Sequence, residues 1–158
     1  MTTITITKDD TGKLTGLGEK DKIAYARLKK RLQDLEQGEC LSLDVWFDRR
    51  QKFHALHFVI LTRIFDAQEQ WADLEQFRMW TTVGAGHCVF VPGPGGKMVA
   101  IPKSISWGQM DDADFQVHHK KVVDFLRSQR ATRFLWPTLS DQETGEMIHE
   151  LLEEFERA

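Results

Sequence analysis

The chain has 158 residues, 41% hydrophobic and 28% charged, with a formal net charge of −3. That length fits one ordinary domain with a core of its own, and the composition excludes a disordered chain and a compulsory nucleic-acid or membrane partner. Two cysteines, Cys40 and Cys88, exclude a disulfide scaffold and read as reduced thiols. No apolar run approaches the ~20 residues of a membrane span, and the start MTTITITKDD lacks a signal peptide's basic and apolar regions, so a cytoplasmic location is expected.

Thr2 to Thr7 alternate threonine and isoleucine, the period-two, β-branched signature of a strand, and Asp9-Asp10-Thr11-Gly12 is a turn signal. Asp21 is placed to cap a helix running to about Gln37, with Gly38 as its stop. Leu41, Leu43 and Val45 alternate with Ser42, Asp44 and Trp46 and predict a second strand. Asp48 then caps a core helix bearing Leu56, Ile60, Leu61, Ile64 and Phe65, and another helix carries Trp71, Leu74, Phe77 and Trp80. Cys88–Val91 and Met98–Ile101 flank Pro92-Gly93-Pro94-Gly95-Gly96 and predict a β-hairpin. Asp111 and Asp112 open a fourth helix, where negative charge suits the positive end of the helix dipole. A Trp136-Pro137 linker leads to a last helix. The expected class is α+β: a small, mainly antiparallel sheet with about five helices packed against it.

Charge is unevenly placed. Residues 140–158 hold seven acids and one base, while residues 1–139 carry 20 bases and 17 acids. Within this tail Met147, Ile148, Leu151, Leu152 and Phe155 recur at spacings of three and four, an amphipathic helical stripe. The expected organisation is one α+β domain over 1–139 and an acidic helix over 140–158, packed on that domain or on a dimer partner. Its outer face, Glu143, Glu146, Glu150 and Glu154, suits a basic protein partner or a shield over a basic surface, or is simply solvated.

No constellation argues for catalysis. His54 and His57 are three apart on a helix and His118 adjoins His119, yet no CxxC, HExxH or closed four-ligand pattern exists, so no metal is expected. There is no Gly-x-Ser-x-Gly elbow, and the Gly/Pro run before Lys97 lacks P-loop spacing. The bases say more. Arg49, Arg50 and Lys52 lie at a strand-to-helix handover, Lys120 and Lys121 lie in the fourth helix, and Arg127, Arg130 and Arg133 follow at spacings of three. Such groups suit phosphate oxygens, and Trp107, Phe134 and Trp136 nearby offer rings for stacking; ordinary surface charge and core tryptophan are the competing readings.

Two stretches carry a resemblance. One runs from Asp48-Arg49-Arg50-Gln51-Lys52-Phe53-His54-Ala55-Leu56 to Phe77-Arg78-Met79-Trp80; the other is Ile101-Pro102-Lys103-Ser104-Ile105-Ser106, then Met110, Asp111-Asp112 and Phe115. Over about residues 40–127 the chain resembles an uncharacterised family of lambdoid-phage domains encoded among recombination and replication genes. It is more distantly similar to the phage lambda Orf (NinB) family of recombination mediators. The resemblance implies a cytoplasmic homodimer in the bacterial host that binds single- and double-stranded DNA. It would handle single strands coated with host binding protein, without cofactor or catalytic residue. Lys103, Ser104 and Trp107 then join the bases above as candidate DNA-binding residues. The expected function is a non-catalytic recombination mediator on single-stranded or junction DNA. The alternative is a phage protein that binds and inhibits or redirects a host complex, such as a nuclease, recombination or defence system.

Overall fold

A computed structural model describes residues 3–156; Thr2, the first residue of the expected N-terminal strand, lies outside them. The fold is α+β, with six helices and two separate two-stranded antiparallel sheets among the described residues. The chain divides into two compact units, one ending at Val45 and one beginning at Trp46. The acidic helix belongs to the second.

In the first unit, β1 (Ile6–Lys8) pairs with β2 (Leu14–Gly16) in the register Ile6↔Gly16, Thr7↔Thr15. The Asp9 carboxylate organises the turn between them. It accepts from Thr11 Oγ1 at 2.6 Å and from the amides of Thr11 and Lys13, both at 2.9 Å, and these bonds, the Thr11 hydroxyl foremost, hold its pKa below the usual value. Gly12 takes φ +80°, which favours glycine. Helix α1 (Glu19–Gln33) starts at Gly18 rather than Asp21; Asp21 sits at the third helical position and reaches back to the Gly18 amide as half of a capping box. The helix stops before Gln37, at the Asp34 cap. The strand expected over 41–46 does not form. Alternation makes that segment suited to a sheet, but no strand pairs with it, and Leu43, Val45 and Trp46 are exposed.

The second unit contains α2 (Gln51–Ala67), α3 (Leu74–Gly84), the hairpin β3 (Cys88–Pro92) and β4 (Met98–Pro102), α4 (Asp112–Arg127), α5 (Gln129–Leu135) and α6 (Asp141–Glu156). The hairpin lies where the sequence places it, with Val89 opposite Ile101. Arg50, not Asp48, occupies the cap position of α2. Trp71 precedes α3, which Asp73 caps through the Gln76 amide at 2.8 Å. Asp111 caps α4 by accepting from the Asp114 amide at 2.9 Å. The extra helix arises at Ser128, which closes α4 and opens α5. Its hydroxyl donates to the Phe125 carbonyl and accepts from the Ala131 amide.

In this second unit, apolar residues at spacings of three and four on the helices converge on one core. It includes Ile60, Leu61 and Ile64 of α2, Phe77 of α3, Val122 and Leu126 of α4, and Ile148 and Leu152 of α6. Trp136, 1% exposed, closes it and donates its indole N–H to the Ala67 carbonyl at 2.8 Å. Helix α6 packs on α2, α4 and α5, so its stripe is covered without a second copy. Ser140 and Glu143 cap it reciprocally. Helices α3 and α4 meet at Gly84, where a Cβ would lie 2.3 Å from the Phe125 ring. Gly84→Ala gains about 1 kcal/mol of helix propensity but overpacks a site where such insertions cost about 1–3 kcal/mol. The clash wins, and a thermal melt will show a lowered midpoint.

Candidate functional site

Arg49 is the centre of the best-organised polar region. It is only 5% exposed. Its Nε donates to the Met110 carbonyl and its Nη2 to the Ser106 carbonyl, both at 2.8 Å. The guanidinium carbon sits 4.3 Å from the centre of the Phe115 ring and 5.6 Å from that of Trp107. Burial lowers its pKa, opposed by the nearby Asp112 and Asp111 carboxylates; a guanidinium stays charged in proteins regardless. Arg49 therefore clamps the segment between β4 and α4. Beside it, Arg50 donates its backbone amide and its Nε to the two oxygens of Asp112, at 3.0 and 3.1 Å. Those contacts, led by the Arg50 amide, lower the Asp112 pKa. The Phe47 carbonyl accepts from the Asp112 amide, completing the join between the entry to α2 and the start of α4.

Around Phe115 lie the histidines. His57 and His119 approach Nδ1 to Nδ1 at 2.9 Å, so one imidazole donates and the other accepts. His57 and His118 are 1% and 4% exposed, and Nε2 of each is buried without a partner. Burial, reinforced by the neighbouring imidazoles His119, His118 and His54 and by Arg78, takes His57 down to about 3. Burial, with His87, His119, Arg49 and Lys121, takes His118 down to about 4. Both are neutral at pH 7. Among the described residues, no group of three or more His, Cys, Asp or Glu is placed to hold a metal ion.

His118 also lines a cleft of about 230 Å³. One wall is a single face of α4: Asp114, Val117, His118 and Lys121 stand at helical spacings of three, four and seven. The opposite wall is the turn out of α3, Ala85-Gly86-His87, where Gly86 takes φ +81° and a side chain would be strained. Gln109 and Met110 complete the lining. His87 ties this turn to the β4–α4 segment: its carbonyl accepts from the Lys103 amide at 3.0 Å, and its Nε2 donates to the Ser104 carbonyl at 3.2 Å. One segment, residues 103–110, thus runs from His87 past Arg49 to the cleft. Trp107 stands on it 47% exposed, its ring 4.6 Å from that of His54.

The sequence-predicted residues divide accordingly. Lys103, Ser104 and Trp107 share this segment, and Lys121 borders the cleft. Lys52, Lys120 and Arg130 are exposed, with no ion pair among the described residues. Arg49 and Arg50 depart from the expectation of free phosphate contacts: one is buried on carbonyls and the other is paired with Asp112. Arg127 is paired with Glu156 at 2.6 Å and Arg133 with Asp141 at 2.6 Å, so neither is a free phosphate contact. Trp136 is core, and Phe134 stacks near Trp71 and Trp80. On α6, Glu143 is occupied in the cap, Glu154 pairs with Arg63 of α2, Glu146 accepts from Gln142, and Glu150 is exposed. The cleft residues Gln109 and Asp114 escaped the sequence reading, and His118 was weighed there only as a metal ligand, although the three-four-seven spacing along α4 is visible there.

Residues 62–153, more than half the chain, match the family described as "Protein of unknown function (DUF1367)", and the chain belongs to that family. The match covers the cleft and the 103–110 segment but begins after the Asp48–Leu56 stretch. No curated protein and no solved structure matches the chain. Among the described residues no helix is long and apolar enough to cross a membrane.

Proposed function

We propose that the protein is a non-catalytic, cytoplasmic DNA-binding accessory protein of a bacteriophage, acting as a recombination mediator on single-stranded or junction DNA in the manner of the Orf (NinB) mediators. The observation that supports this best is Trp107. An indole left half in water is held by a ring contact with His54 and by the clamped Arg49, on a segment that also bears Lys103 and Ser104. A fixed aromatic face beside cations is what sequence-tolerant single-strand binding requires: nucleobases stack on the ring while lysine and arginine side chains neutralise phosphates. Lys103, Lys121 and, further out, Lys52, Lys120 and Arg130 supply the charge.

The test is fluorescence anisotropy with a labelled single-stranded oligonucleotide across a salt series. Trp107→Ala is expected to weaken binding by about 5- to 150-fold, as loss of about 1–3 kcal/mol of stacking dictates, with an unchanged salt slope. Lys103→Glu is expected to weaken binding and flatten the log–log slope by about 0.7, one phosphate's worth on a single strand. Equal affinities for all three proteins would remove this segment from the interface.

A second reading, capture of a host recombination, nuclease or defence protein, draws on a different surface. The strands β3 and β4 contain no charged residue and expose Phe90 and Met98, and Glu150 of α6 points to solvent. No binding of single strands at low salt would favour it.

A further inference from the structure

We propose that the cleft between the α3–β3 turn and α4 receives one unstacked nucleobase of the bound strand, with guanine preferred. This rests on the DNA-binding reading above and adds to it a base-recognition site. At about 230 Å³ the cleft is below the roughly 300–1,000 Å³ of pockets that take drug-sized ligands, which suits a single base rather than a whole nucleotide cofactor. Its walls divide as a base would need. Met110, Val117 and Ala85 are apolar and can cover a flat ring, while Gln109, Asp114, His118 and Lys121 offer polar groups for its edge.

Two features separate this cleft from a chance depression. His118 is buried to 4% exposure, and its Nε2 has no partner although it lines a polar space. Buried polar groups are ordinarily satisfied, so this nitrogen, sealed behind the cleft wall, gains a bond to a ligand only when the ring turns toward the cleft. Asp114 and Lys121, meanwhile, line the same cleft with opposite charges yet make no ion pair with each other. An ionised carboxylate only accepts and an ammonium only donates. The ligand that satisfies both presents paired donors to one and acceptors to the other. Among the four DNA bases, guanine alone carries two adjacent donors, N1–H and the N2 amino group, which match the two oxygens of a carboxylate. Its O6 and N7 then face the donors, the Lys121 ammonium and the Gln109 amide. Adenine, cytosine and thymine each place an acceptor where Asp114 needs a second donor. The cleft begins where the Trp107 segment ends, at Gln109 and Met110, so a strand stacked on Trp107 has a base within reach of it.

The experiment measures affinity of the full chain for oligothymidylate 12-mers carrying a single central guanine, adenine, cytosine or abasic site. Guanine is expected to bind about tenfold tighter than the abasic strand and more tightly than adenine or cytosine. Asp114→Asn is expected to abolish that preference, read as the ratio of its affinity for the guanine strand to its own affinity for plain oligothymidylate. In parallel, guanosine monophosphate is expected to shift the NMR signals of Gly86, His87, Gln109 and Lys121, and cytidine monophosphate to leave them in place. Binding of all strands with equal affinity, or a preference that survives Asp114→Asn, overturns the base site and leaves the DNA-binding reading standing. No binding of any strand overturns the DNA-binding reading and takes the base site with it.

Discussion

Arg49→Ala is expected to cost about 3 kcal/mol of stability, read as a lower urea midpoint with an unchanged slope. The guanidinium makes two charge-assisted hydrogen bonds at 2.8 Å, and each such bond contributes about 1.5–3 kcal/mol. Met110 is buried, so its carbonyl would lose its donor with little water to replace it, while the Ser106 carbonyl, on an exposed residue, can be resolvated. The loss therefore falls below the sum of the two bonds. Vacating the face of Phe115 adds a packing term, because the arginine stem and plane fill that space. Lysine is a poor substitute here. Its three N–H groups radiate from one nitrogen and cannot reproduce the spread of Nε and Nη2 across the two carbonyls or the flat face laid on Phe115, so Arg49→Lys is expected to recover about half the loss. Hydrogen exchange supplies an independent reading: amides over 103–110 should exchange faster in Arg49→Ala while those of α6 keep their order. Should the midpoint stay within about 0.5 kcal/mol of the parent, Arg49 is not the clamp.

The same residue shows where reading from sequence stops. The hairpin was legible because two short apolar runs flank a Pro/Gly turn. Helices α2, α4 and α6 were legible because apolar residues recur at three and four, a local pattern that survives folding. The strand at Leu14–Gly16 is only three residues long, too short to show a period. The segment 41–46 has the period and lacks a partner, and a partner is a property of the whole fold. Arg49 and Arg50 were read as ligand-facing because cations at a helix entrance look alike whether they meet phosphate or protein. What decides is Ser106, Met110 and Asp112, about sixty residues downstream, brought up by the packing of α4 against the entry to α2. The cleft had a similar fate. Its α4 face is written in the spacing Asp114, Val117, His118, Lys121, but the facing wall comes from Ala85–His87, and nothing in either stretch announces the other.

Stability should fall as pH is lowered from 7 to 5, before any carboxylate is titrated. His57 and His118 have folded pKa values lowered to about 3 and about 4, against an ordinary value of 6.5. A depressed histidine pKa means that the unfolded chain binds the proton first. The contribution of these neutral imidazoles is therefore fully present above about pH 6.5 and is lost as pH falls from there toward the folded values. Within that window each such group tilts stability by about 1.4 kcal/mol per pH unit, so the pair sets an upper slope near 3 kcal/mol per unit. His54 and His119 are shifted the same way, by burial first, and steepen it. The carboxylates held low by their partners, Asp112 and Asp141 among them, pull in the same direction but only below about pH 4.5, where unfolded carboxylates begin to take protons. Urea midpoints at pH 7, 6 and 5 thus isolate the imidazoles. The variant His57→Asn, His118→Asn, which keeps a neutral polar group near each Nδ1, is expected to be less stable at pH 7 and to lose most of the slope between pH 6 and 5. A parent midpoint that stays flat from pH 7 to 5 would mean that the two imidazoles take protons in the folded chain as readily as in the unfolded one, and the buried neutral pair around Phe115 would have to be abandoned.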